Sequence, residues 1–519
     1  MNSKRKESAF RRVDGARVTF ENDYGVPVTV LARHDVVIEP EGLEQLLTFL
    51  SLQDTLARVA EDERTGRIAP FWGESPGHIE RVVITPDFHR GSGIPVGTVV
   101  DARGFVVPRA IGNDVCCGMR LLVTDVRRDE LAPHLNALER RLRAIFFQGQ
   151  RDIPMSPRQR EALLREGLWG LHDTIRDNQG TGLWKYYDPA AQAEDLARVH
   201  FQGVLPARDV FAFERFIQAS GASDGRDPQI GSVGGGNHFV EIQSVEEILD
   251  GSRAHAWGLA RDAVAIMAHS GSVGIGHMVG GHFCARAHEV YPRGVPHPKH
   301  GFYVLPTAGP LAREALLYLD AMRNAANFAF GNRLCLGLMA VRAMSEVLGR
   351  RVCSRLVYDA PHNLIWEQES GAQQFLHRKG ATPARGPDGM KGPFGCTGHP
   401  VIIPGSMGAS SFVLAGEGNQ GALESACHGA GRSLTRGRSA HVDDQVFEAS
   451  AGKLRVVTPI DPDSPQVRSR RDILQKYRQR LKEEAPYAYK PITPVVQTIE
   501  DAAVARRVAR LWPIMTVKG

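Results

Sequence analysis

Leu43, Leu46, Leu47 and Leu50 recur at helical spacing, and the polar positions between them predict an amphipathic helix over residues 41–60. Residues 158–176 and 310–347 also predict helices. The second of these is long and rich in Ala, Leu and Met, and Gly331 in its middle predicts a break or kink. Short β-rich runs at 81–85 (Arg-Val-Val-Ile-Thr), 263–268, 400–404 and 454–458 predict strands, each running into a glycine-rich or polar turn. Residues 1–40 show little pattern, and the Gly-, Lys- and Arg-rich stretch 371–395 predicts an exposed loop. No repeat of fixed period is present.

Composition narrows the class. The chain has 519 residues, 42% apolar and 23% charged, which is ordinary for a globular protein and excludes a disordered chain or a fibre. That length accommodates three ordinary domains or one large enzyme domain. Lys and Arg number 63 against 58 Asp and Glu, a net charge of +5 that is compatible with a nucleotide or nucleic-acid partner without arguing for one. Seven scattered cysteines do not form a disulfide framework and point to a reducing compartment. The basic start Met1-Asn2-Ser3-Lys4-Arg5-Lys6 is followed by no apolar run, and no stretch approaches the roughly 20 apolar residues that span a bilayer. The expectation is a soluble, cytoplasmic protein with no membrane partner.

The glycines gather in short clusters beside His, Asp, Asn or Ser, as suits loops that wrap a ligand. Four such loops offer metal-ligand chemistry: Asp114-Val115-Cys116-Cys117, Asn237-His238, His269-Ser270-Gly271 and Pro361-His362-Asn363. A lone histidine beside glycines is ordinarily a surface or capping residue. Carboxylate, imidazole and one thiolate together suit Mn²⁺, Zn²⁺, Fe²⁺ or Co²⁺. No CxxC pair is present, which argues against a structural zinc finger. Cys427-His428-Gly429-Ala430-Gly431-Arg432 offers a histidine in an open loop, and histidine can act as a covalent nucleophile through a ring nitrogen. A helix starting after Gly431 would place Arg432 and Arg436 one turn apart beside a phosphate, or serve only as a capped helix start. Pro404-Gly405-Ser406-Met407-Gly408 reads either as a phosphate cradle or as an ordinary polar turn. His377-Arg378-Lys379-Gly380 reads as a small basic patch.

Taken together these segments resemble the RtcB family of RNA-splicing and RNA-repair ligases. The matching pieces occur in family order: Pro86-Asp87-Phe88-His89 with Gly91 to Gly97, Asp114 to Arg120, Gly234 to Gln243, His269 to His277, Asn332-Arg333, His362-Asn363, His377 to Thr382, Pro404 to Ser411, Cys427 to Arg436, Ala488-Tyr489-Lys490 and Val517-Lys518-Gly519. The resemblance implies an α+β fold: a single large catalytic domain over 81–519, with mixed and antiparallel sheets flanked by helices around a central metal-containing cleft. Residues 1–80 would be an N-terminal extension packed on that core.

The resemblance also implies an activity: joining RNA 3′-phosphate or 2′,3′-cyclic phosphate ends to 5′-hydroxyl ends, using GTP and two Mn²⁺ ions. His428 looks like the nucleophile that forms a histidine–GMP intermediate, from which GMP passes to the RNA 3′-phosphate. Asp114, Cys117, His238, His269 and His362 match metal positions, with Cys117 as the bridge. Asn237, His238, Phe239, Val240, Glu241, His362, Asn363, Pro404, Gly405, Ser406, Met407, Ser411, His428, Gly429, Ala430, Gly431, Tyr489 and Lys518 match guanylate-binding positions, with Tyr489 stacking on guanine. RNA and GTP are the implied partners, with an archease-type activator as a further candidate. Three positions depart from the family pattern: Val273 where Arg is usual, Cys116 where Asn or Gly is usual, and Pro491 where Asp is usual. Two other readings compete: a metal-dependent phosphoesterase of RNA ends, and a non-catalytic RNA- or nucleotide-binding relative.

Overall fold

Two large sheets carry the architecture of the computed structural model, which describes residues 9–73, 75–212, 214–218, 229–368, 373–388, 390–451 and 454–519. The first sheet runs in the spatial order Phe10–Arg12, Arg17–Phe20, Val28–Leu31, His78–His89, Val96–Arg103, Gln374–Lys379, Asn363–Glu367. Its neighbours are antiparallel except Val28–Leu31 against His78–His89, which is parallel. The second runs Ser354–Pro361, Gly118–Arg127, Ala263–Ser270, Phe239–Ile248, Ala505–Val517, Ser411–Gly416, Pro400–Ile403. Val456–Val457 adds in parallel to the end of Ala505–Val517. Helices flank both sheets, so the architecture is the expected α+β arrangement of mixed and antiparallel sheets.

Several local expectations are corrected. Residues 1–40, read as patternless, supply the first three strands of the first sheet; alternation in Val18, Phe20, Val28 and Val30 is too short to register alone. The basic start Met1 to Lys6 lies outside the described residues. The 41–60 helix is two helices, Pro40–Leu50 and Leu52–Arg64, which meet at Ser51 and set Leu46, Leu50, Leu56 and Val59 into one core. Pro157–Thr174 starts on a capping box between Ser156 and Gln159 and kinks at Gly167. The 371–395 stretch is not an exposed loop: its described residues include the strands Gln374–Lys379 and Ala381–Pro383, while 371, 372 and 389 lie outside the described residues.

The long helix Ala312–Leu348 continues unbroken through Gly331. A Cβ there would meet Leu163 Cδ2 at 2.8 Å, so the missing side chain admits the helix Pro157–Thr174. Packing of this kind outweighs the roughly 1 kcal/mol that glycine costs a helix. Most of Ala312–Leu348 is buried, including Asn332 and Arg333, which it carries beneath the glycine-rich loops of the second sheet. No helix among the described residues is long and apolar enough to cross a membrane.

Candidate functional site

Antiparallel pairing gathers the four candidate ligand loops at one edge of the second sheet. Cys117 immediately precedes Gly118–Arg127, whose Gly118 is opposite Ser270 on one side and Pro361 on the other. His269 is opposite both Met119 and Phe239, and His238 precedes Phe239–Ile248. The end of one strand therefore meets the start of the next, and ligands far apart in sequence become neighbours. Backbone bonds fix the loops: His362 N–H donates to Cys117 O at 2.7 Å and Cys116 N–H to Asn363 O at 2.7 Å.

The five side chains form two groups that share a thiol. Cys117, His269 and His362 make one; Asp114, Cys117 and His238 make the other, with ligand atoms in each group within 4.8 Å of one another. Cys117 Sγ lies 3.2 Å from Nε2 of both His238 and His269. His269 Nε2 is 3.3 Å from His362 Nε2, and His238 Nε2 is 2.8 Å from Asp114 Oδ2. Burial, followed by the Asp114 charge, holds the Cys117 thiol well above its usual range. Burial likewise holds the His269 and His362 imidazoles well below theirs. Burial pushes the Asp114 carboxyl up, but the charge and hydrogen bond of His238 outweigh it and keep the carboxyl below the usual range.

This donor set fits a metal. Imidazole nitrogens turned toward one another and toward a sulfur are what a cation requires, and a bound cation would deprotonate the thiol. His269 Nδ1 lies 3.1 Å from Asn237 O, which places its proton on Nδ1 and leaves Nε2 as a ligand atom. His238 and His362 have no such partner for Nδ1 among the described residues. The shell beneath is ionic. Arg333 donates to Cys116 O (2.7 Å), Ser270 O (3.0 Å) and Asp359 Oδ1 (2.9 Å), and Asp359 also takes Arg120 (3.1 Å).

His428 follows the strand Ser425–Cys427, which pairs with Ala381–Pro383. Its ring centroid is 4.4 Å from that of His362. His428 Nδ1 lies 2.7 Å from Asp87 Oδ2 and 2.9 Å from Gly380 O. Burial raises the Asp87 carboxyl, but the hydrogen bond and charge of His428, with the Thr85 hydroxyl, outweigh it and keep the group below its usual range. Both partners are thus acceptors, so Nδ1 carries the proton and Nε2 offers a lone pair. Lys490 holds the Asp87 turn by donating to Pro86 O (3.1 Å) and Phe88 O (2.8 Å).

A cleft of about 1150 Å³ opens on His428. Asp114, Asn237, Phe239, Glu241, His269, Pro404 to Met407, His428 to Gly431, Tyr489 and Lys518 line it. His238, His362 and Cys117 lie just behind. Other expected positions play supporting parts. Val240 is buried in the sheet core. Asn363 accepts from Gly380 N at 2.8 Å and donates to Asp114 O at 3.3 Å. Ser411 Oγ accepts from Gly405 N (3.2 Å) and Gln243 Nε2 (2.9 Å), bracing the 404–408 turn. Lys518 Nζ donates to Gly236 O at 2.6 Å and His238 O at 3.2 Å. The Arg432 guanidinium sits 5.0 Å from the Tyr489 ring centroid, and the Tyr489 hydroxyl donates to Glu484.

Two expectations about charge are corrected. No helix starts after Gly431; the next helix is Arg436–Ala440, and Arg432 and Arg436 are both tied to Glu484. His377, Arg378 and Lys379 are not a surface patch but buried in a strand paired on both sides. Arg378 stacks 3.9 Å from the Trp366 ring centroid and Lys379 donates to Ile111 O at 2.9 Å. Asp87 belongs to a matching segment but has no role assigned from sequence alone; it is a carboxylate near the end of the strand His78–His89. The carbonyls of Gly380 and Asn237 carry no side-chain signal at all.

Gly380 has φ +64°, and a Cβ there would lie 2.3 Å from Val96 Cγ1 and 3.1 Å from His428 Cε1. Gly380→Ala is therefore expected to cost about 1–3 kcal/mol of stability and to displace the imidazole. Chemical denaturation alongside the rate of His428 modification checks both; a variant equal to wild type in both would contradict the packing described.

The family model described as tRNA-splicing ligase RtcB matches residues 72–519. The tRNA-splicing ligase RtcB of Thermococcus kodakarensis is 32% identical over 497 residues, covering 90% of this chain and 93% of that protein. The RNA-splicing ligase RtcB of Mycobacterium bovis is 33% identical over 461 residues, covering 86% and 98% respectively. The tRNA-splicing ligase RtcB of Nanoarchaeum equitans is 31% identical over 500 residues, covering 93% and 97%. The chain belongs to the RtcB family of ligases.

Proposed function

We propose that the protein is a GTP-dependent RNA ligase that joins RNA 3′-phosphate or 2′,3′-cyclic phosphate ends to 5′-hydroxyl ends, in RNA repair or tRNA splicing. The observation that carries this reading is the His428 imidazole: Nδ1 is anchored on two acceptors and Nε2 has no hydrogen-bond partner among the described residues, inside a nucleotide-sized cleft beside the ligand cluster. Nε2 attacks the α-phosphorus of GTP; a P–N bond forms, the P–O bond breaks and pyrophosphate leaves. The Nδ1 proton stays shared with Asp87 and the Gly380 carbonyl. An oxygen of the RNA 3′-phosphate then displaces His428 from the GMP. The RNA 5′-hydroxyl finally attacks the activated 3′-phosphorus, loses its proton and releases GMP; a cyclic end is opened first by water, which adds to phosphorus as the P–O2′ bond breaks, leaving a 3′-phosphate and a 2′-hydroxyl.

Asp114, Cys117, His238, His269 and His362 would hold two Mn²⁺ ions, with Cys117 in both coordination groups. Bound there, divalent ions supply Lewis-acid neutralisation of phosphate charge. Lys518 and the braced Pro404 to Met407 turn would face the guanylate, and Tyr489, one ring face covered by Arg432, would stack on the base with the other. The test is GTP labelled at the α-phosphate, incubated with Mn²⁺ and protein. An acid-labile, base-stable adduct in wild type and none in His428→Ala is expected; no adduct in a metal-loaded wild type would overturn the reading and favour a hydrolase.

Glu241 suits the donor edge of guanine, whose N1–H and N2–H₂ present two adjacent donors to the carboxylate that forms when the bound base displaces its proton. Burial pushes Glu241 up to about 8, against smaller opposing effects of Gln243 and Lys518. The folded protein therefore holds this proton more tightly than the unfolded chain, whose value is near 4.5. The stability it contributes is full below pH 4.5 and is lost as pH rises towards 8. Glu241→Gln is expected to match wild type in thermal midpoint near pH 4.5 and to exceed it increasingly up to pH 8, while losing preference for GTP over ATP. A constant gap across that window would refute the assignment.

A further inference from the structure

Between Val467 and Lys482 the chain carries seven Arg or Lys residues and one Asp, a net of +6 that exceeds the +5 of the whole protein. Most of this segment is the helix Arg471–Glu483, which has no fully buried residue. Its apolar stripe of Ile473, Leu474, Tyr477 and Leu481 is only half-buried, with Leu481 set against Phe447 and Ala485. Some of its cations are spoken for: Arg470 by Asp472, Arg478 by Asp444 and Glu448, Lys482 by Asp444. Arg468, Arg471, Lys476 and Arg480 are exposed and have no carboxylate partner among the described residues.

The segment is not remote from the nucleophile. A groove of about 960 Å³ runs beneath the helix and shares Met407 with the His428 cleft. Arg471, Gln475 and Tyr477 line it. A smaller cavity of about 310 Å³ on the other side of the helix includes Arg480 and shares Glu484 and Lys518 with the same cleft. Cations without carboxylate partners, an aromatic ring and a groove that shares a wall with the reaction cleft are the combination that tracks a single-stranded polyanion.

We propose that the helix Arg471–Glu483 and the turn before it are a docking surface for the RNA backbone, along which the strand is led to His428. This rests on the RNA-ligase reading above. Concentrated positive charge also suits an acidic protein, but adjacency to the reaction cleft, through the shared Met407, Glu484 and Lys518, favours the substrate strand. Because all four free cations are exposed and glutamine keeps helix propensity, a quadruple variant (Arg468→Gln, Arg471→Gln, Lys476→Gln, Arg480→Gln) is expected to fold.

The test compares wild type and the quadruple variant on a single-stranded RNA bearing a 3′-phosphate. Affinity is measured from 50 to 300 mM salt, with α-labelled GTP adduct formation measured separately without RNA. Each lost phosphate contact removes about 0.7 from the slope of log K against log salt, so the slope is expected to fall by up to about 3 and affinity at 0.1 M salt by at least about tenfold. Adduct formation is expected to be unchanged. Equal RNA affinity and slope in the two proteins would overturn the docking surface, and sealing that then depended on an added acidic protein would reassign it to that partner. Failure of the ligase reading looks different: wild type itself would form no adduct.

Discussion

Replacing Cys117 by alanine is expected to abolish RNA sealing and to slow GTP adduct formation by about 10³-fold or more. Both ligand groups are built on its sulfur, with His238 and His269 nitrogens each 3.2 Å away and His362 completing the second group. Removing it takes a donor from both groups at once, whereas loss of His362 or Asp114 would impair only one. Lewis-acid stabilisation of the triphosphate amounts to several kcal/mol, and about 1.4 kcal/mol is one decade of rate. Metal content by mass spectrometry should fall from two ions to one or none. Chelation of wild type should reproduce the defect, and readdition of Mn²⁺ should rescue wild type alone. Two bound ions and wild-type rates in Cys117→Ala would show that the thiol is not shared.

Asp87→Asn carries the second-largest expected effect and acts without touching substrate. The carboxylate is fully buried and lies 2.7 Å from His428 Nδ1. An amide there can turn its NH₂ toward the ring, moving the imidazole proton to Nε2 and occupying the nucleophilic lone pair. The same change beside a catalytic histidine in a serine protease costs about 10⁴ in rate. The Gly380 carbonyl, 2.9 Å from Nδ1, still accepts the proton and moderates the loss. The single-turnover rate of adduct formation should therefore fall between about 10² and 10⁴, with metal content and GTP affinity retained. Loss of metal along with the rate would mean that Asp87 supports the fold of the site rather than the tautomer.

What the sequence revealed follows from what each signal depends on. The ligand loops were legible because Asp, Cys and His in glycine-flanked segments are rare enough to combine, and the motif order supplied the family. Asp87 was not assigned a role because a carboxylate at the end of a strand reads as a turn residue until the histidine 341 positions later is seen against it. Gly331 misled for a related reason: helix propensity is local, while the reason for the glycine is Leu163 on another helix. The buried Arg378 and Lys379 misled because basic residues are counted as surface unless a partner is known. Trp366 and the Ile111 carbonyl are those partners, and neither is adjacent in sequence. The three N-terminal strands of the first sheet escaped because each has only three or four residues, at most two periods of the alternation.

The strand ends that meet at the second sheet draw their ligands from position 114 to position 362. A ribosome adds about 5–20 residues per second, so roughly 10–50 s separate the emergence of Cys117 from that of His362. For about the first half of that interval, until His238 and His269 follow 121 and 152 positions later, Cys116 and Cys117 stand side by side on an incomplete chain without the imidazoles that enclose the second thiol. Both thiols are buried once the chain is folded, so biosynthesis is the stage at which this pair is most open to oxidants and to misplaced soft metals.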